Sequence, residues 1–299
     1  METPPDHLYY TLYEPAGTEI RAAILLLHGM QEHSGRYEPV ANYLKERGCA
    51  VLTYDHVGHG RTAKSDPQMG FFRKDKPGEQ LIADAAQMAR FLSHHFPDTP
   101  LILMGHSMGS FVARILVGKT PTRFDGAIFV GTGGPNPLAA LFLPVLRLAN
   151  LFAPTQRSRW LNHFFLTIND RKFRHEHPND GTNWLSRSST NRQAFLNDKL
   201  CGVPFSNNAF YGLISLNVKA TRSDWAQTIP KEMPLLFLSG ACDPIGDFGK
   251  GVTKTVKKLH IQGFKRAALK IYPQLRHEIL NEDEKQQVFN DLVEWLGIR

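Results

Sequence analysis

Apolar positions along this chain follow two alternating patterns. Residues 21–27 (RAAILLL), 49–54 and 101–104 are short, nearly continuous apolar runs, which predict strands buried on both faces. Between them the apolar residues return every three or four positions. Tyr37, Val40, Ala41 and Leu44 predict a helix over 34–48, with Ser34 as its N-cap and Gly48 as its stop. Leu81, Ala85, Met88, Ala89 and Leu92 predict a longer helix over 78–96, closed by Pro97 and Pro100, and residues 110–116 begin another. Further strands are expected at 126–130, 234–238 and 267–272, with helices at 250–259 and 282–296. Residues 7–20 alternate loosely around Glu14-Pro15-Ala16-Gly17 and read as a hairpin.

Strand and helix taking turns is the pattern of an α/β fold with a mostly parallel, doubly wound sheet. The rhythm breaks over 135–230, which is helical, aromatic and without a buried strand. Residues 1–134 and 231–299 are therefore expected to form the core, and 135–230 a helical cap inserted between two of its strands.

Composition changes this picture little. Apolar content of 42% and charged content of 21% are ordinary for a globular chain. Residues 1–10 lack a basic start followed by an apolar run, so no signal peptide is expected. The stretch 138–153 is interrupted by Pro144 and Arg147 and is short for a bilayer span. Three cysteines, Cys49, Cys201 and Cys242, without metal-ligand spacing suit free thiols in a cytoplasmic protein. Of the net charge of +7, about +6 falls within 135–230, where eleven Lys/Arg face five Asp/Glu. That excess suits a solvated face or an anionic lipid surface. Basic residues interleaved with aromatics are lacking, which sets nucleic acid aside.

The candidate chemistry centres on Gly105-His106-Ser107-Met108-Gly109, lying between a strand and a helix. A strand reversing sharply into a helix strains the turn residue and crowds its neighbours, so Gly105 and Gly109 remove side chains that would collide. Ser107 is left at the tip, beside the free amides of a helix N-terminus. A serine hydroxyl needs a base, and the base needs an orienting acid. Sites in such sheets form at the carboxyl ends of strands. One later strand leads to Asp243, with Asp247 as a rival a little further on, and the last leads to His277. The order Ser, Asp, His is the one expected when this triad is carried on such a sheet. Backbone N–H groups of Met108 and Met30 are the candidate oxyanion donors. His28, His56, His59 and His106 sit in glycine-flanked turns and read as turn hydrogen-bonding residues. His175 and His177 lack a third ligand, so no metal is expected.

Residues 28–61 (HGMQEHSGRYEPVANYLKERGCAVLTYDHVGHGRT), with GHSMGS, SGACDP and RHEILNE, resemble the monoacylglycerol lipase and lysophospholipase group of α/β-hydrolases. The resemblance implies an α/β-hydrolase fold, a lipid-facing lid and serine hydrolysis without a cofactor. It implies Ser107 as nucleophile, Asp243 as acid, His277 as base, and Met30 and Met108 as oxyanion donors. The expected substrate is a small-molecule acyl ester: a monoacylglycerol, a lysophospholipid or a short-chain aryl ester. An aminopeptidase or amidase of the same fold is the alternative. Residues 138–153 are apolar almost all round, which suits packing onto the core, an acyl tunnel, or transient contact with a membrane surface by a peripheral protein. Trp160, Phe164, Phe165, Trp184, Phe195, Phe205, Phe210 and Tyr211 are expected to line an apolar pocket.

Overall fold

Alternate residues of one strand lie in two different cores. In β2 (Ala22–Leu27), Ala23, Leu25 and Leu27 join one buried cluster, and Ala22, Ile24 and Leu26 join the other. This is the period-two side-chain alternation of a strand with helices on both faces. The computed structural model describes residues 5–17 and 19–298; the first four residues of the segment read for a signal peptide lie outside them.

Seven strands form the sheet: β1 (Tyr10–Tyr13), β2, β3 (Cys49–Tyr54), β4 (Leu101–His106), β5 (Gly126–Val130), β6 (Leu235–Gly240) and β7 (Ala267–Tyr272). Their order is β1-β3-β2-β4-β5-β6-β7. β1 is antiparallel to β3 and every other pairing is parallel. The expected hairpin is therefore corrected. β1 runs along Val51–Tyr54 of β3, and β3 separates it from β2. Loose alternation is also what a half-exposed edge strand shows, and it says nothing of the partner.

The helices α1 (Glu38–Lys45), α2 (Pro77–His95) and α3 (Met108–Lys119) precede β6, and α8 (Lys250–Ile261) and α9 (Lys285–Leu296) follow it. Side chains of α1 and α9, among them Leu44 and Leu292, share one cluster; those of α2, α3 and α8, among them Leu81, Val112 and Val256, share the other. Ser34 is not an α-helical N-cap, because its amide and hydroxyl both donate to Asp55 Oδ1 (2.8 and 2.7 Å). A 3-10 turn over Ser34–Tyr37 intervenes before α1. The last helix starts at Lys285, not at 282, because the Glu282 carboxylate is taken by backbone and hydroxyl groups of residues 186–188.

Between β5 and β6 lie α4 (Pro137–Phe152), α5 (Arg159–Asp170), α6 (Ser189–Asn197) and α7 (Asn207–Ala220). They differ in how they are held. α7 buries Ala209, Phe210, Leu213 and Leu216 in the cluster shared with α2 and α3. α4 buries Leu146 alone among its side chains, while Leu138, Leu141, Val145, Leu148, Leu151 and Phe152 stay exposed, Phe152 by 81%. Packing onto the core thus accounts for little of the apolar content of α4.

Candidate active site

The turn between β4 and α3 is tight. Ser107 has φ +51° and ψ −118°, a strained conformation for a residue with a side chain. A Cβ on Gly105 would stand 2.4 Å from the Gly109 carbonyl oxygen, and one on Gly109 would stand 2.3 Å from that of Leu27. Both glycines are needed for this close approach. Ser107 is 7% exposed and lines a cavity of about 180 Å³ together with Met30, His106, Trp184 and His277. Met108 opens α3, where the first amides have no intrahelical acceptor. Among the described residues the Met30 amide has no protein acceptor either.

The loops after β6 and β7 are tied together, the Ala241 amide donating to the Tyr272 carbonyl and that of Cys242 to Leu275 (2.9 Å each). This brings the fully buried Asp243 to His277, whose Nδ1–H donates to Asp243 Oδ1 at 3.0 Å. The same oxygen accepts the Ile245 amide at 2.9 Å. His277 thereby carries its proton on Nδ1 and leaves Nε2 free to act as a base. Asp247, the rival acid, is exposed on the turn before α8.

Behind Ser107 lies a polar network that the sequence did not reveal. The Glu32 Oε1 accepts from the Gly29 amide and the Tyr37 hydroxyl (2.7 Å each), and Oε2 accepts from Arg36 (2.7 Å). The His106 Nδ1 lies 2.8 Å from the Tyr37 hydroxyl and 3.3 Å from Glu32, while its Nε2 lies 3.2 Å from the His277 carbonyl. With the Tyr37 proton committed to Glu32, both His106 nitrogens face acceptors and both must donate, so His106 is an imidazolium paired with the Glu32 carboxylate. Burial alone would lower His106 and raise Glu32. The bond between them together with the surrounding charges, Glu278 near His106 and Arg36 and His28 near Glu32, outweighs burial at both, raising His106 above its ordinary value and holding Glu32 well below. Arg36 also binds both Glu278 oxygens (2.6 and 2.7 Å) and the side chain of Asn191 on α6. His106 is thus more than a turn residue.

The other turn histidines vary. His28 bonds the Gly29 carbonyl through Nδ1 (2.7 Å) and accepts the His56 amide at Nε2 (2.9 Å), and His59 bonds the Val57 carbonyl (3.1 Å). The His56 ring is the exception: it is buried with neither nitrogen bonded among the described residues, and burial holds it well below its ordinary value. His33, Asp198 and Cys201 place three ligand-type atoms within 4.8 Å of one another. Their donor set is already committed. The His33 Nδ1 accepts the Gly35 amide, so Nε2 bears the proton and donates to Asp198 at 2.8 Å, and burial pushes the Cys201 thiol up.

A family model described as serine aminopeptidase, S33 (Hydrolase_4) matches residues 18–284. The chain belongs to this family. The chain is similar to human monoglyceride lipase, 27% identical over 300 residues that cover 98% of this chain and 88% of that one. Mouse monoglyceride lipase is 29% identical over 151 residues, so the match covers 50% of this chain and about half (48%) of that relative's length. Among solved structures, a thermostable carboxyl esterase from Bacillus coagulans superposes with a TM-score of 0.88 at 27% identity, covering 97% of this chain and 93% of that one. The fold is accordingly that of an α/β-hydrolase.

The eight aromatics expected to line an apolar pocket are divided among three places. Only Trp184 and Phe195 of the eight line the cavity. Phe205 and Phe210 are buried in the main core, against which Phe165 and Tyr211 also pack. Trp160 and Phe164 stack on each other at the surface of α5, with centroids 5.4 Å apart. Aromatic count within 135–230 signalled bulk but not direction.

Proposed function

We propose that the chain is a carboxylic ester hydrolase acting on single-chain acyl esters through an acyl-enzyme at Ser107. The observation that carries this reading is a strained serine and an Asp243-oriented imidazole opening on one cavity. His277 Nε2 takes the Ser107 proton as the hydroxyl oxygen attacks the ester carbonyl. The Met30 and Met108 amides receive the negative charge of the tetrahedral intermediate. Collapse expels the alcohol, which takes the proton from His277, and water activated by the same imidazole releases the acid. No cofactor is needed for these steps.

Monoacylglycerols and lysophospholipids are the substrates this reading favours. α4 and α5 each expose apolar side chains, Leu141 and Phe152 on the one and Trp160 and Phe164 on the other, and each exposes a cation, Arg147 and Arg159. Such side chains suit contact with anionic lipid headgroups, and residues 135–230 then serve as a lid over the core of 1–134 and 231–299. No helix among the described residues is long and apolar enough to cross a membrane.

An aminopeptidase requires an uncompensated carboxylate for the substrate ammonium. The three carboxylates lining the cavity each have a guanidinium near them: Glu32 and Glu278 share Arg36, and Asp180 lies 3.7 Å from Arg192. Turnover of a p-nitrophenyl ester series beside aminoacyl anilides tests the choice. Ester hydrolysis should hold or rise from acetate to octanoate, with anilides inert. A peak at acetate with a steep fall by octanoate would contradict the acyl-chain reading, and faster anilide turnover would favour the peptidase.

A further inference from the structure

Among the described residues, Trp184 is the one large aromatic side chain lying against the imidazole of His277. It is 4% exposed, lines the cavity, and its ring centroid lies 5.1 Å from that of His277 with the planes 33° apart. The residues on either side are joined in the same order, once by the Arg276 guanidinium and once through the backbone. Arg276 donates to the Asn183 carbonyl, and the Glu278 amide donates to that of Leu185 at 2.8 Å. Trp184 therefore sits opposite His277 between two cross-links. Its own amide is fixed by Asp170 Oδ1 at 3.0 Å. Glu282 holds the Arg276 amide (3.1 Å) together with the Ser186 hydroxyl (2.7 Å) and the Ser188 amide (3.1 Å). Residues 183–188 and the loop bearing His277 are one bonded unit, although 93 residues separate Asn183 from Arg276.

During acyl transfer His277 becomes an imidazolium, and its surroundings do not all favour that charge. Asp243 accepts from Nδ1, which helps. The cationic His106 has its ring centroid 4.7 Å away, which opposes it, offset in part by Glu32. Arg276 is paired with Glu176, and Glu278 with Arg36, so the adjoining charges are committed elsewhere. Asp180 completes the ionisable groups of the cavity wall. An indole face is the strongest aromatic partner for a cation, and it also blocks rotation of the ring beneath it.

We propose that Trp184 is a positioning residue for the His277 base, fixing the plane of the imidazole and stabilising the imidazolium formed in each half-reaction. This rests on the acyl-enzyme reading above. It makes residues 183–188 part of the catalytic apparatus.

The test compares native protein, Trp184→Phe and Trp184→Leu by the pH dependence of kcat/KM for p-nitrophenyl butyrate, with fluorophosphonate labelling of Ser107 and a melting curve for each. Trp184→Leu should lower kcat about tenfold and move the acid limb down by about half a pH unit, because the cation loses its π partner. Trp184→Phe should shift the limb less and in the same direction. Superimposable profiles with a change in KM alone would overturn the proposal and leave Trp184 a pocket wall. If the leucine variant does not fold, a phenylalanine variant with the native profile overturns it equally. Native protein that fluorophosphonate does not label would remove the acyl-enzyme reading and this proposal together, whereas labelled native protein with unmoved variant profiles removes only this one.

Discussion

Replacing Glu32 by glutamine tests the buried pair behind the nucleophile. Three donors converge on Glu32 Oε1, from Gly29, Tyr37 and His106, and Arg36 occupies Oε2. A glutamine amide therefore sets its NH2 against donors in either orientation. Removing one member of a buried ion pair costs about 3–5 kcal/mol. The amide oxygen retains some of these bonds and His106 can shed its proton, so the low end, about 3 kcal/mol, is expected; at this chain length that is a fall of about 5 °C in Tm. The pH dependence has a definite sign. Glu32, depressed on folding, stabilises above its unfolded value near 4.5 and loses that contribution as pH falls through its folded value. His106, raised on folding, stabilises below 6.5 and loses that contribution as pH rises through its folded value. Both act together between those two values. Urea unfolding of native protein and Glu32→Gln should show the largest gap near pH 5.5 and a smaller one at pH 9. A gap under about 1 kcal/mol, or one unchanged across that range, would refute the ion-pair assignment.

Two further outcomes follow from the geometry. Asp243→Asn should lower kcat by about 10⁴-fold by spoiling the tautomer of His277, while Asp247→Asn, exposed and away from the ring, should stay within about twofold of native; equal losses at the two positions in a p-nitrophenyl ester assay would contradict the assignment of Asp243. On α4, Leu141→Asp combined with Phe152→Asp should weaken sedimentation with anionic phosphatidylglycerol vesicles by about tenfold or more and leave hydrolysis of a soluble butyrate ester unchanged. Undiminished vesicle binding would exclude that face as the lipid contact.

The strands were legible because a strand buried on both faces has to be apolar at every position, as β2, β3 and β4 are. The turn at Ser107 was legible because its geometry tolerates only glycine at 105 and 109. Asp243 and His277 were found by the rule that loops following parallel strands meet at one edge, and they lie 3.0 Å apart. What escaped the sequence was polar and long-range. Glu32 reads like any surface acid in a helix-leading loop, and only the fold sets it beside His106 and Arg36 beside Glu278, 242 residues away. The aromatics of 135–230 escaped for another reason. A helix apolar over most of its circumference gives no period from which to tell an inward face from an outward one, so α4 could not be oriented. Trp184 carries no local signal at all, since its place over His277 depends on bonds made by the residues on either side of it.

The central claim is that Ser107 carries the acyl group. Rapid quenching of the protein with p-nitrophenyl butyrate, followed by peptide mapping, measures it directly. A butyryl adduct on the peptide containing Ser107, absent from Ser107→Ala along with a loss of turnover of about 10³-fold or more, is the result expected. Native-like turnover by Ser107→Ala, or an adduct mapping to another side chain, would contradict the account.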